Sequence, residues 1–112
     1  EIWGPGTQTR SFLYVDECVE GIRRLMESDW TGPVNIGSDE MVTINQLVDY
    51  ACEIGDKKLS KMHIPGPLGV AGRNSDNSLI QEKLNWSPNY PLKDGLAKTY
   101  EWIKEQNELR LL

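Results

Sequence analysis

The sequence predicts a small mixed α/β domain of about four helices and three or four short strands. Apolar residues recur at helical spacing in separate stretches, and short β-branched or aromatic runs lie between them. The length of 112 residues and an apolar content of 38% suit one globular unit, residues 1–112. No strand–helix alternation is long enough for a doubly wound sheet. The phosphate loops Gly-x-x-x-x-Gly-Lys-Ser/Thr and Gly-x-Gly-x-x-Gly are absent; Gly4-Pro5-Gly6 is too short and leads into a strand rather than a helix.

Phe12 to Val15 reads as a strand, and Asp16 stands where a carboxylate can cap the helix that follows, near the positive end of its dipole. Cys18, Val19, Ile22, Leu25 and Met26 form one apolar face of that helix. Asp29 to Pro33 breaks the pattern, and Pro33 to Gly37 reads as a short strand ending at glycine. Asp39 and Glu40 read as a solvated turn. Thr43 and Gln46 have the spacing of a capping box, Ile44, Leu47, Val48, Ala51 and Cys52 supply the apolar stripe of a second helix, and Gly55 stops it. Met62 to Ile64 is a candidate strand, and Gly66 to Gly72 a loop. Asp76 or Asn77 starts a third helix through Leu79, Ile80 and Leu84. Trp86 to Pro91 is a turn with aromatic anchors. The last helix begins at about Leu92, with Leu96, Tyr100 and Ile103 on one face.

A net charge of −5 gives no basic field to attract nucleic acid or anionic lipid. No apolar run approaches the roughly 20 residues of a membrane span, and the start of the chain lacks the basic and apolar regions of a signal peptide. Cys18 and Cys52 read as reduced core thiols of a cytoplasmic protein. With one histidine and no Cys-x-x-Cys pair they make no metal site. The first residue is Glu1 and opens an extended segment, so a preceding segment is expected.

Two arginines stand out. Arg10 follows Gly4-Pro5-Gly6-Thr7-Gln8-Thr9, and Arg73 follows Gly72 after a glycine-rich stretch. Small neighbours let other groups approach, and two planar guanidinium forks can clamp a diphosphate. The competing readings are an ion pair of Arg10 with Asp16 or Glu17, a tie of Arg73 to Asp76, and solvent-facing edge positions for Gln8 and Thr9. His63 lies in an apolar run without a named nucleophile or acid beside it, which favours a structural role.

Gly4-x-Gly6-x-Gln8-x-Arg10-x-Phe12 with Val15-Asp16, Val34-Asn35-Ile36-Gly37, and Leu84-Asn85-Trp86-Ser87-Pro88 resemble the C-terminal half of the extended short-chain dehydrogenases/reductases. These are the NAD-dependent nucleotide-sugar epimerases and dehydratases. His63-Ile64-Pro65-Gly66-Pro67 and Gly72-Arg73-Asn74-Ser75-Asp76-Asn77, with the run from Val34 to Val42, resemble the branch that epimerises GDP-mannose. The resemblance covers essentially the whole chain.

The resemblance implies the substrate domain of such an enzyme without its Rossmann domain. Gln8, Thr9 and Arg10 would contact a GDP-sugar, GDP-mannose foremost. Arg73 would reach the diphosphate from the opposite side, and Asp76 would lie near the ribose hydroxyls. NAD would belong to the intact enzyme, its site and the catalytic Tyr-x-x-x-Lys pair lying outside this chain, which by itself would bind no cofactor. The expected partners are thus the sugar nucleotide and an N-terminal Rossmann domain, with a homo-oligomer also compatible. Tyr100 and Lys104 have the Tyr-x-x-x-Lys spacing, but Tyr100 falls on the apolar face of the last helix and reads as packing. Ala71 stands where these enzymes tend to have arginine. Asn85 replaces a glycine and must adopt a left-handed conformation, which asparagine tolerates. A free-standing sugar-nucleotide-binding or assembly module without catalysis remains the alternative.

Overall fold

The computed structural model describes residues 1–110. In chain order the elements are β1 (Ile2–Trp3), β2 (Thr9–Ser11), α1 (Val15–Glu27), β3 (Met41–Thr43), α2 (Ile44–Ile54), β4 (His63–Ile64), β5 (Gly72–Arg73), α3 (Ser78–Leu84) and α4 (Leu92–Arg110). The strands form two small sheets. β1 pairs in parallel with β4. β2 is the central strand of the other, antiparallel to β3 and parallel to β5.

The helices begin and end where local chemistry dictates. The Thr43 hydroxyl accepts from the Gln46 amide at 3.1 Å, while the Thr43 amide donates to the Gln46 side chain at 2.8 Å, so the expected capping box closes. Gly55 is the C-cap of α2, yet its φ is −83° and it is Asp56, at φ 48°, that turns left-handed. What demands glycine at position 55 is space, because the Tyr100 hydroxyl and ring occupy the place of a Cβ. Tyr100 therefore packs α4 on the end of α2, as its place on the apolar face implies. Asn85 caps α3 at φ 49° and ψ 37°, the left-handed geometry expected of it.

Several expectations are corrected. The strand expected at Phe12 to Val15 lies earlier, at Thr9–Ser11, because that segment alone is bonded on both edges. Tyr14 is the N-cap of α1 without a side-chain bond, and Asp16 lies inside the first turn, where its charge meets the helix dipole without capping. Pro33 to Gly37 forms no strand, since no described strand edge lies alongside it. It is held instead by side chains: Asn77 donates to the Gly37 carbonyl at 2.8 Å, and Asn35 donates to the Asp76 carbonyl at 3.4 Å. Glu40 is no idle turn residue, because its carboxylate accepts from the Leu92 amide at 2.8 Å and so caps α4. Glu17 likewise accepts from the Asn89 and Tyr90 amides and fixes the aromatic turn before α4.

The core is thin. Ile2, Val42, Ile80 and Leu92 are its buried apolar side chains among the described residues, and Ile80 is fully enclosed. The predicted apolar face of α1 divides: Cys18 and Leu25 are half-buried, whereas Val19 and Met26 are 59% and 80% exposed. Val15 and Ile22 extend this exposed stripe at spacings of one helical turn. On the inner side, Gly21 lets α1 approach Ile36 and Trp86, whose atoms lie 2.8 and 2.9 Å from where a Cβ would stand. The radius of gyration is 16.8 Å, against about 13 Å for a compact chain of this length. The shape is a slab of 49 × 38 × 20 Å.

Glu20 accepts from Arg23 at 2.9 Å and from Arg24 at 2.6 Å, and these hydrogen bonds, Arg23 first, lower its pKa from 4.5 to about 2. Its folded pKa lies below its usual one, so ionised Glu20 stabilises α1 above about pH 4.5, and the contribution fades as pH falls through about 2. Circular dichroism of Glu20→Gln should therefore show less helix than the parent at pH 6 and a much smaller difference at pH 2, with the gap at pH 6 shrinking in salt. Thr43→Ala should lower unfolding stability by about 1 kcal/mol in urea titrations; an unchanged midpoint would deny the capping box that role.

Candidate functional site

Backbone register brings the two arginines together. Arg10 on β2 pairs with Arg73 on β5, and Thr9 pairs with Gly72. The Thr9 amide donates to the Ala71 carbonyl at 2.9 Å and secures this register. Gly72 makes the close approach possible, because a Cβ there would stand 2.7 Å from the Thr9 hydroxyl. Side chains directly across a ladder share a face, and successive residues alternate. Arg10 and Arg73 thus rise from one face, with buried Val42 of β3 on the other side of Arg10. Thr9 belongs to the opposite face. The two arginines thus share one wall on neighbouring strands, and Arg73 does not face Arg10 from the opposite side as the resemblance implies.

Neither arginine forms an ion pair among the described residues, so the alternatives of Asp16, Glu17 and Asp76 as salt-bridge partners are not what the structure contains. Arg10 is half-buried and donates to main-chain carbonyls: Thr9 at 2.6 Å, Val70 at 2.8 Å and Leu68 at 3.5 Å. Arg73 is exposed, and its side chain makes no hydrogen bond among the described residues. Two adjacent like charges without a carboxylate between them favour an anion.

The other sequence-identified residues are placed differently. Gln8 is half-buried beside Arg10 in sequence; its amide donates to the Trp3 carbonyl at 3.2 Å, and its carbonyl oxygen is buried without a partner among the described residues. Asp76 accepts from the Ser78 hydroxyl at 2.6 Å and the Ser78 amide at 2.9 Å. These bonds, the hydroxyl first, hold its carboxyl below the usual carboxylate range. Its side chain is thus committed to the start of α3. His63 is exposed, with Nε2 at 3.0 Å from the Asn45 side-chain oxygen, in keeping with a structural role. The residues that sequence reasoning missed are Leu68 and Val70, whose contribution is made by backbone carbonyls and leaves no side-chain signature.

A separate groove of about 530 Å³ lies between the Phe12–Val15 segment and α4, bordered by Tyr90, Leu96 and Trp102. Tyr14 and Tyr90 stack at 5.0 Å there, with the Lys98 ammonium 5.5 and 5.0 Å from their ring centres. The groove is lined mainly by apolar and aromatic side chains and is bordered by neither Arg10 nor Arg73.

The glycine run before Arg73 lacks the strand–loop–helix setting of a dinucleotide-binding loop. Gly66, Gly69 and Gly72 do fall at a Gly-x-x-Gly-x-x-Gly spacing. They join β4 to β5, however, and no helix follows whose N-terminus could receive a pyrophosphate. Tyr100 is engaged at Gly55, and Lys104 lies 3.9 Å from Glu101. Among the described residues no cluster of His, Cys, Asp or Glu could hold a metal ion, and no helix is long and apolar enough to cross a membrane. Both cysteines are free and half-buried.

No protein-family model matches the chain. Among individual proteins, the GDP-mannose 3,5-epimerase of Arabidopsis thaliana is 61% identical over 108 residues, covering 96% of this chain and 29% of that protein. UDP-glucuronic acid decarboxylase 6 of the same plant is 43% identical over 96% of this chain and 30% of its own length. Among solved structures, the UDP-glucuronic acid 4-epimerase of Bacillus cereus, in complex with UDP-glucuronic acid and NAD, superposes with a TM-score of 0.86 at 31% identity, over 94% of this chain and 35% of that one. The chain thus spans about three-tenths of the length of the curated relatives it matches. In sequence and fold the chain is similar to one part of these sugar-nucleotide enzymes, NAD-binding epimerases among them.

Proposed function

We propose that this chain is the substrate-gripping domain of a nucleotide-sugar epimerase acting on a GDP-sugar, GDP-mannose foremost. The observation that carries the reading is the register pairing of Arg10 with Arg73, two guanidinium groups on one sheet face without a carboxylate partner among the described residues. A diphosphate satisfies both charges at once. Gln8 belongs to the proposed site through the family resemblance and lies beside Arg10 in sequence. Thr9, on the opposite face from the arginines, and Asp76, at the start of α3, enter the proposed site only through the family resemblance. The 61% identity to a GDP-mannose 3,5-epimerase favours GDP-mannose over the UDP-sugars named for other relatives.

On this reading the chain holds the nucleotide end of the substrate, and the hydride and proton chemistry lies with an N-terminal Rossmann domain that carries NAD. Fixing a remote, unreacting part of the substrate orients the sugar ring for that chemistry. The exposed stripe of Val15, Val19, Ile22 and Met26 is the surface that we assign to this partner. The strand-like segment at Pro33 to Gly37 follows α1 directly and is unpaired with any described strand. A helix with an uncovered apolar side, followed by a segment without strand partners, fits an αβ unit whose sheet lies in another domain. The free, half-buried thiols fit a reducing, cytoplasmic setting.

Arg10→Ala and Arg73→Ala should each weaken calorimetric binding of GDP-mannose by about 1.5 to 3 kcal/mol. Parent-like binding by both variants would remove the clamp. For the partner surface, Ile22→Glu should leave the stability of this chain within about 0.5 kcal/mol of the parent, since the site is exposed, yet lower that of a chimera carrying the remainder of the Arabidopsis relative by about 2 kcal/mol. A chimera indifferent to Ile22→Glu, with a parent chain that dimerises through this stripe in sedimentation, would favour the assembly module instead.

A further inference from the structure

We propose that Gly69 is a positioning residue: its left-handed turn aims the Leu68 and Val70 carbonyls at the Arg10 guanidinium and holds that charge beside Arg73. The inference rests on the reading of Arg10 and Arg73 as a diphosphate clamp and adds the device that keeps the clamp set.

Arg10 has a long, flexible side chain, and repulsion from Arg73 would drive its free end away. The structure opposes that drift with main-chain dipoles. The Arg10 Nη2 atom donates to the Val70 carbonyl at 2.8 Å and, more weakly, to the Leu68 carbonyl at 3.5 Å, while Nη1 donates to the Thr9 carbonyl at 2.6 Å. The two loop carbonyls flank Gly69, whose φ is +64°. That reversal of the backbone brings carbonyls from either side of one residue onto the same nitrogen. Three bonds leave part of the guanidinium fork open, so the loop can stay in place while a phosphate binds.

Backbone conformation, and not space, makes glycine the fitting residue. A Cβ at position 69 would stand 3.7 Å from the Arg10 Nη2 atom, an ordinary contact. A β-branched residue resists positive φ strongly, whereas asparagine accepts it. Gly69→Asn should therefore preserve the device, and Gly69→Val should break it.

Nuclear magnetic resonance of the Arg10 side chain tests the positioning without any ligand. Its guanidinium N–H signals should be resolved and slow to exchange in the parent and in Gly69→Asn, and averaged in Gly69→Val. Titration with GDP then tests the consequence: Gly69→Val should bind about tenfold more weakly, the scale of a charged hydrogen bond lost, and Gly69→Asn should bind like the parent. Gly69→Val should add nothing to Arg10→Ala but should add its full effect to Arg73→Ala. Position 69 is exposed, so the Val variant should fold, and Gly69→Ala provides a milder second case with the same sign. Restrained Arg10 signals in Gly69→Val, or equal effects of Val and Asn, would overturn the proposal. If instead neither Arg10→Ala nor Arg73→Ala changes GDP binding, the clamp reading falls, and the resonance result still decides whether Gly69 positions Arg10.

Discussion

The hydrogen-bonded register of β2 with β5 is the constraint on which the candidate site depends. A slip of one residue would turn Arg73 to the opposite face from Arg10 and bring Thr9 against a side chain instead of Gly72. Pairing over so few residues is weak by itself. It persists because β2 is bonded on its other edge to β3, which passes directly into the capped start of α2. The sequence elements that look unrelated, a capping box and a glycine before an arginine, thus cooperate to fix where two charges stand.

The electrostatics are local and run against the global balance. The chain carries a net charge of −5, yet acidic side chains are tied up elsewhere: Glu20 with Arg23 and Arg24, Glu40 at the start of α4, Glu17 at the aromatic turn, and Asp76 at Ser78. Many of these carboxylates cap or brace helices and turns, which leaves Arg10 and Arg73 unneutralised. Backbone carbonyls moderate the charge of Arg10 without cancelling it. An ion pair would offset the charge of Arg10, whereas carbonyl dipoles leave it while fixing its geometry.

Much apolar surface of this chain faces outward. Four side chains make its buried apolar core, while a full stripe of α1 and Trp102 of α4 face outward. A slab 20 Å thick has little interior to bury. The exposed stripe of α1 is the surface that the proposed docking partner would cover.

Periodicity and capping chemistry made the four helices legible in the sequence, because these depend on residues within one or two turns. Thr43 with Gln46, the start of α4 near Leu92 and the left-handed Asn85 are all local matters. The arginines were visible as guanidinium groups beside small residues. Their adjacency was not, since Arg10 and Arg73 lie far apart in the chain and only pairing brings them together. Nor could sequence show that Pro33 to Gly37 would stay unpaired, that the α1 face would divide, or that Glu40 would reach Leu92. Sequence alone determined which segments coil and which residues carry charge, because local sterics and spacing decide those. Tertiary structure alone decided which charges meet and which apolar faces remain open, because strand pairing and burial join residues whose separation along the chain carries no record of their contact.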